Sequence, residues 1–220
     1  MIRALIFDVN GTLDTMQEER IRALREVVGK LKPSLSDKGN RKTAEELLVA
    51  VEREDVKNAS RPMKDIVRDA LQDTFKESEL EGHDLEELYE LYSEARKKYE
   101  SIDETFLNII EDLKEKYKIF VLSQAGGEYI DRMLEEYDIH EVFDGIYNTR
   151  EFKRKPNIEI YEKILEENDL KAGECVMIGD DSLLDLFPAK IAGLKTLLFS
   201  RYVDGAVSDY GDFKEIIEEM

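Results

Sequence analysis

Two hydrophobic periods alternate along this chain. Ala4-Leu5-Ile6-Phe7 is an unbroken apolar run leading to Asp8, the pattern of a strand buried on both faces of a parallel sheet. From about residue 14 to 100 the spacing turns helical. Apolar stripes occur at Leu24, Val27, Val28 and Leu31, at Leu47, Leu48 and Val51, and at Met63, Ile66, Val67, Ala70, Leu71 and Phe75. A fourth joins Leu85, Leu88, Tyr89, Tyr92 and Tyr99, so four amphipathic helices are predicted. Ser60 is placed to cap the third, with Pro62 in its first turn, and Gly82 separates the third from the fourth. These stripes read as packing faces rather than as ligand positions.

After residue 101 the two periods interleave, the signature of βαβ units. Helices are predicted around Phe106 to Leu113, Ile130 to Tyr137 and Ile158 to Leu165. Strands are predicted at Lys118 to Leu122, Ile146-Tyr147, Cys175 to Ile178 and Thr196 to Phe199. The expected fold is therefore α/β: a doubly wound parallel-sheet core from residues 1–13 and 101–220, interrupted by a helical insertion at 14–100. Asp8, Ser123, Lys155 and Asp180 each follow a strand. Ligands of open α/β sheets collect at the carboxyl ends of strands, so these four distant residues are expected to converge.

Composition narrows the function classes. Of 220 residues, 51 are acidic and 32 basic, and a formal charge of −19 disfavours nucleic acid and anionic lipid as partners. No apolar stretch is long enough to span a membrane and no secretory signal is evident at the amino terminus, so a cytoplasmic location is expected. Cys175, the single cysteine, excludes an intramolecular disulfide and a cysteine cluster for zinc, and reads as a small core residue. His83 and His140 are isolated and read as surface or turn residues.

The chemistry is carried by four segments. In Phe7-Asp8-Val9-Asn10-Gly11-Thr12-Leu13 a carboxylate at the mouth of a strand precedes a glycine turn and a hydroxyl, an arrangement that presents one anionic oxygen to a phosphoryl group. VLSQAGG, KRKPNIEIY and VMIGDDSLLD follow, around Ser123, Lys155 and Asp180. Taken singly, a strand-terminal Asp or Ser is more often a turn former or cap. The order of all four resembles the haloacid dehalogenase superfamily over about residues 3–13 and 103–200, on a Rossmann-like core with a helical cap of the first type.

The resemblance implies Asp8 as a nucleophile that forms an aspartyl phosphate. Thr12, Ser123 and Gln124, with backbone amides near Gly126 or Gly127, would bind phosphoryl oxygens, and Lys155 would offset their charge. Arg150, Lys153 and Arg154 compete locally with Lys155, though solvated surface is the plainer reading for them. Crowded carboxylates need a cation. Mg²⁺ is implied, held by Asp8, the Asn10 carbonyl and Asp180, with Asp181 and Asp185 in support; a one-residue shift would exchange Asp180 for Asp181. The implied partner is a small phosphorylated metabolite, with the chain a monomer or homodimer.

Asn10 departs from the family pattern. Phosphatases of the superfamily carry Asp there as general acid and base, and asparagine cannot shuttle a proton. That loss costs about 10²- to 10⁴-fold in rate. A slow phosphatase favouring good leaving groups is expected. The alternatives are a catalytically impaired phosphate- and Mg²⁺-binding protein, an Asp-to-Asn substitution in this chain, deamidation of Asn10-Gly11, or a 2-haloacid dehalogenase-like hydrolase. Dehalogenases of the superfamily have an aromatic residue at the second position and use no metal, which the acidic fourth motif argues against. A receiver-type signalling domain would lack the helical insertion.

Overall fold

The computed structural model of the chain describes residues 1–14, 16–57, 61–124, 127–148, 155–200 and 205–220. Among them, five strands form one parallel sheet: β1 (Ala4–Phe7), β2 (Lys118–Ser123), β3 (Gly145–Asn148), β4 (Cys175–Gly179) and β5 (Lys195–Leu198). Their spatial order is β3-β2-β1-β4-β5, which puts β1 at the centre, where the winding reverses. The pleat sends Leu5, Phe7, Ile119, Val121, Val176 and Ile178 to one face, and Ala4, Ile6, Phe120, Leu122, Cys175 and Met177 to the other. Both sets are buried, so the three central strands read as continuous apolar runs rather than alternating ones.

The chain divides into two compact units: Met1–Thr15 with Ser101–Met220, and Met16–Glu100. The second is helical: α1 (Met16–Leu31), α2 (Asp37–Lys57), α3 (Met63–Thr74), the single turn α4 (Glu77–Leu80) and α5 (Leu85–Tyr99). Its core unites Leu24, Val27, Leu47, Val51, Val67, Leu71, Leu88 and Tyr92 from four of these helices, the residues of the predicted stripes. Asp84 caps α5 by accepting from the Glu86 amide at 2.8 Å. α4 is too short for a periodic signal and was not predicted; Ser60 lies outside the described residues.

In the α/β unit, α6 (Glu104–Lys114), α7 (Gly127–Glu136) and α10 (Phe213–Glu219) cover one face of the sheet, and α8 (Glu159–Glu167) and α9 (Phe187–Ile191) the other. α10 was also unpredicted: Phe213, Ile216 and Ile217 make barely two turns of pattern. The segment is nonetheless integral. Phe213 packs on Phe7 with ring centroids 5.8 Å apart, and buried Tyr210 stacks on Phe199 at 4.2 Å.

The crossing into the helical unit comes two residues later than the 13/14 boundary expected, because the backbone holds Asp14 in the α/β unit. Asp14 bridges Ile102, and the Asp103 amide donates to the Leu13 carbonyl at 2.9 Å. Among the described residues, no helix is long and apolar enough to cross a membrane.

Candidate functional site

Sheet register brings the strand-end residues together. Phe7 pairs with Val121 on one side and Ile178 on the other, so Asp8 leaves the sheet between Leu122-Ser123 and Gly179-Asp180. The Asp8 amide donates to the Ile178 carbonyl at 2.9 Å, which anchors the nucleophile candidate to β4. The chain then enters a tight turn over Val9–Leu13. Gly11 has φ +82°, and a Cβ there would fall 2.3 Å from Asp180 Oδ2. Only glycine allows both the conformation and the approach. Gly179 is similarly constrained, since a Cβ would lie 2.5 Å from Asp185 Oδ2.

Lys155 joins the two sides. Its Nζ donates to Asp8 Oδ1 and to Asp185 Oδ1, both at 2.6 Å, with the Lys155 side chain 1% exposed. Burial alone would lower the pKa of this ammonium, but the two carboxylates outweigh it and hold Lys155 well above the ordinary lysine range. Among the described residues, Asp8, Asp180 and Asp185 form a group in which one carboxylate oxygen from each lies within 4.8 Å of those from the other two. Burial, then the charge of its acidic neighbours, pushes the Asp180 carboxyl up to about 7. Burial likewise raises Asp8 well above the usual carboxylate range, with Asp185 and Asp180 adding to it against Lys155. Three carboxylates around one ammonium leave a surplus of negative charge in a dry place. The donor set is all oxygen, and a hard divalent cation fits it.

Other expected residues separate by position. Thr12 is buried and its Oγ1 has no hydrogen-bond partner among the described residues, an unmet hydroxyl in the turn beside the cluster. Ser123 is buried at the end of β2, and Gln124 follows it half-buried. Asn10 lies in the turn itself, half-buried and with non-helical backbone. Asp181 turns away from the group: its Oδ1 accepts from the Leu183 and Leu184 amides at 2.7 and 2.9 Å, as a cap. Asp185, expected only in support, contacts Lys155 directly. Gly126, Arg150, Lys153 and Arg154 lie outside the described residues. Cys175 is buried in the sheet and burial pushes its thiol up to about 11, in keeping with a core role.

Three contributors escaped the sequence reading. Tyr161, inside the helix predicted from Ile158 to Leu165, donates from its hydroxyl to the Asp185 carbonyl at 3.0 Å. Tyr210 donates to the Thr12 carbonyl at 3.1 Å across 198 residues of chain. Asp14, fully buried, accepts the Gly11 amide on Oδ1 at 2.6 Å. Two of them carried a signal, since Tyr161 ends the KRKPNIEIY segment and Asp14 directly follows the first motif; Tyr210 carried none.

Known proteins bear out the architecture. Over 78 residues, about 34% of each chain, this one is 36% identical to glyceraldehyde 3-phosphate phosphatase of Methanocaldococcus jannaschii. It is 25% identical over 207 residues to N-acylneuraminate-9-phosphatase of Rattus norvegicus, covering 90% of this chain and 82% of that one. The magnesium-bound HAD-hydrolase YfnB of Bacillus subtilis superposes with a TM-score of 0.75 over 98% of both chains at 16% identity, a likeness of fold. The family model for haloacid dehalogenase-like hydrolases matches residues 5–199, and the chain belongs to that family.

Proposed function

We propose that the protein hydrolyses a small phosphomonoester with Mg²⁺, through an aspartyl phosphate on Asp8. The observation that carries this reading is the buried Asp8–Lys155–Asp185 pairing beside Asp180 at the ends of β1 and β4. The phosphatase names of similar proteins add to it. Asp8, Asp180 and the Asn10 carbonyl would hold the metal, which when bound supplies charge to a phosphoryl group in transfer.

The chain's own residues then divide the work. Lys155 engages Asp8 Oδ1, leaving Oδ2 to attack phosphorus as the ester P–O bond breaks and the leaving oxygen departs with its electron pair. Water next attacks the same phosphorus and gives up its proton to bulk solvent, the bond to Asp8 breaks with its electron pair going to the carboxylate, and inorganic phosphate leaves. Lys155 and the Thr12 hydroxyl balance and donate to phosphoryl oxygens in both displacements. Ser123 and Gln124 are assigned to the same oxygens. Asn10 can hydrogen-bond to the leaving group but cannot protonate it, nor take a proton from water. Good leaving groups are therefore favoured and the second displacement is slow. Substrate choice is assigned to the helical unit, the segment that the resemblance makes a cap.

Asn10 also favours a second reading, a protein that binds phosphate and Mg²⁺ without turnover. Phosphate release from p-nitrophenyl phosphate, with and without Mg²⁺, separates the two. The phosphatase reading requires release beyond one equivalent, dependent on Mg²⁺ and absent in Asp8→Asn. Release only after Asn10→Asp would favour the binder and make position 10 the disabled step.

A further inference from the structure

We propose that Asp14 is a positioning residue for the metal site, acting through the Asn10–Gly11 peptide; this rests on the Mg²⁺ reading above. Asp14 lies outside the strand-end carboxylate group, is fully buried, and directs Oδ1 at the Gly11 amide at 2.6 Å. A hydrogen bond that short to a carboxylate is charge-assisted and among the stronger kinds. The peptide unit is planar and trans, so its N–H and C=O point in opposite directions. Holding the Gly11 N–H toward Asp14 therefore aims the Asn10 C=O away from Asp14, with the orientation fixed by one bond. That carbonyl is the backbone oxygen assigned to the metal.

The same residue is clamped from a second side. Gly11 approaches Asp180 so closely that a methyl group would collide with Oδ2, so the peptide and the Asp180 carboxylate share one register. Asp14 is itself fixed, because its amide donates to the Val9 carbonyl at 3.1 Å and its backbone bridges Ile102. The turn is thus closed on itself by a side chain from its own end. Without that acceptor the peptide is free to rotate about the flanking ψ and φ, and the carbonyl loses its aim.

Calorimetric titration of Mg²⁺ into the parent, Asp14→Asn and Asp14→Ala tests this directly. Both variants remove the charge, and only Ala removes the acceptor. Asp14→Asn is expected to stay close to the parent, whereas Asp14→Ala weakens Mg²⁺ binding about 10- to 100-fold, the usual effect of losing a group that orients a ligand. Equal affinities in all three proteins would overturn the role, as would equal weakening in both variants, since charge would then be acting alone. A parent that binds no Mg²⁺ would instead sink the metal reading. The Gly11 amide proton offers a readout that needs no truncation: in the parent it should resonate far downfield and move upfield in Asp14→Asn. An amide shift unchanged by that substitution would overturn the hydrogen bond itself.

Discussion

Replacing Lys155 by Met tests the electrostatic account of the site. Methionine keeps most of the stem volume and removes the charge that separates Asp8 from Asp185, both 2.6 Å from Nζ. The side chains of Asp8 and Asp185 are 10% and 3% exposed, so water cannot replace the lost cation. Stripping one partner from a buried ion pair costs about 3–5 kcal/mol, against a total stability of about 5–15 kcal/mol for a domain. For a chain of this length that is a fall of about 6–20 °C in Tm. The deficit should depend on pH with a definite sign. Burial already raises the folded-state pKa values of Asp8 and Asp180 above the usual aspartate range, Asp180 to about 7, and losing Lys155 raises them further. A carboxyl raised on folding favours the fold when protonated, so its contribution is present at low pH and lost as pH rises through the folded value. Calorimetric melting of the α/β unit in EDTA should thus show a large deficit at pH 8 and a small one at pH 5, with Mg²⁺ narrowing the gap at pH 8. A variant melting within about 2 °C of the parent at pH 8 in EDTA, or a deficit that widens on acidification, would refute the reasoning.

Gly11→Ala should lose about 1 kcal/mol from the left-handed backbone alone, and more Mg²⁺ affinity than stability, because the new methyl displaces Asp180; titration and melting of one sample give both numbers. Tyr210→Phe removes the hydroxyl donor to the Thr12 carbonyl and is expected to cost about 1 kcal/mol in chemical denaturation, with the aromatic stack intact. The metal-free parent should itself become less stable between pH 5 and pH 8, as Asp180 ionises near 7, and Mg²⁺ should stabilise it more at pH 8 than at pH 5. A flat melting profile across that range would count against a cation-poor cluster.

Much of this was legible in the sequence because the signals are local. The runs of β1, β2 and β4 are apolar throughout since both faces of the sheet are covered, and the helical stripes of residues 16–100 coincide with a buried core. Elements of barely two turns or fewer, α4 and α10, escaped because periodicity needs length to show. Among the site residues, Asp8, Lys155 and Asp180 could be named from their places after strands. The choice between adjacent Asp180 and Asp181 could not, because it depends on which carboxylate the turn after β4 faces inward and which it spends on its own amides.

By itself, then, the sequence determined the alternation of elements, the doubly buried character of the strand before Asp8, the acidic surface and the departure at Asn10, all of which follow from residue type and spacing. Tertiary structure alone decided that Lys155 bridges Asp8 and Asp185, that Tyr161 and Tyr210 brace the site from elsewhere in the chain, and that Asp14 reaches back to Gly11. Those contacts depend on sheet register and on where a buried polar group finds its partner, and desolvation makes that partner obligatory without writing it into any local pattern.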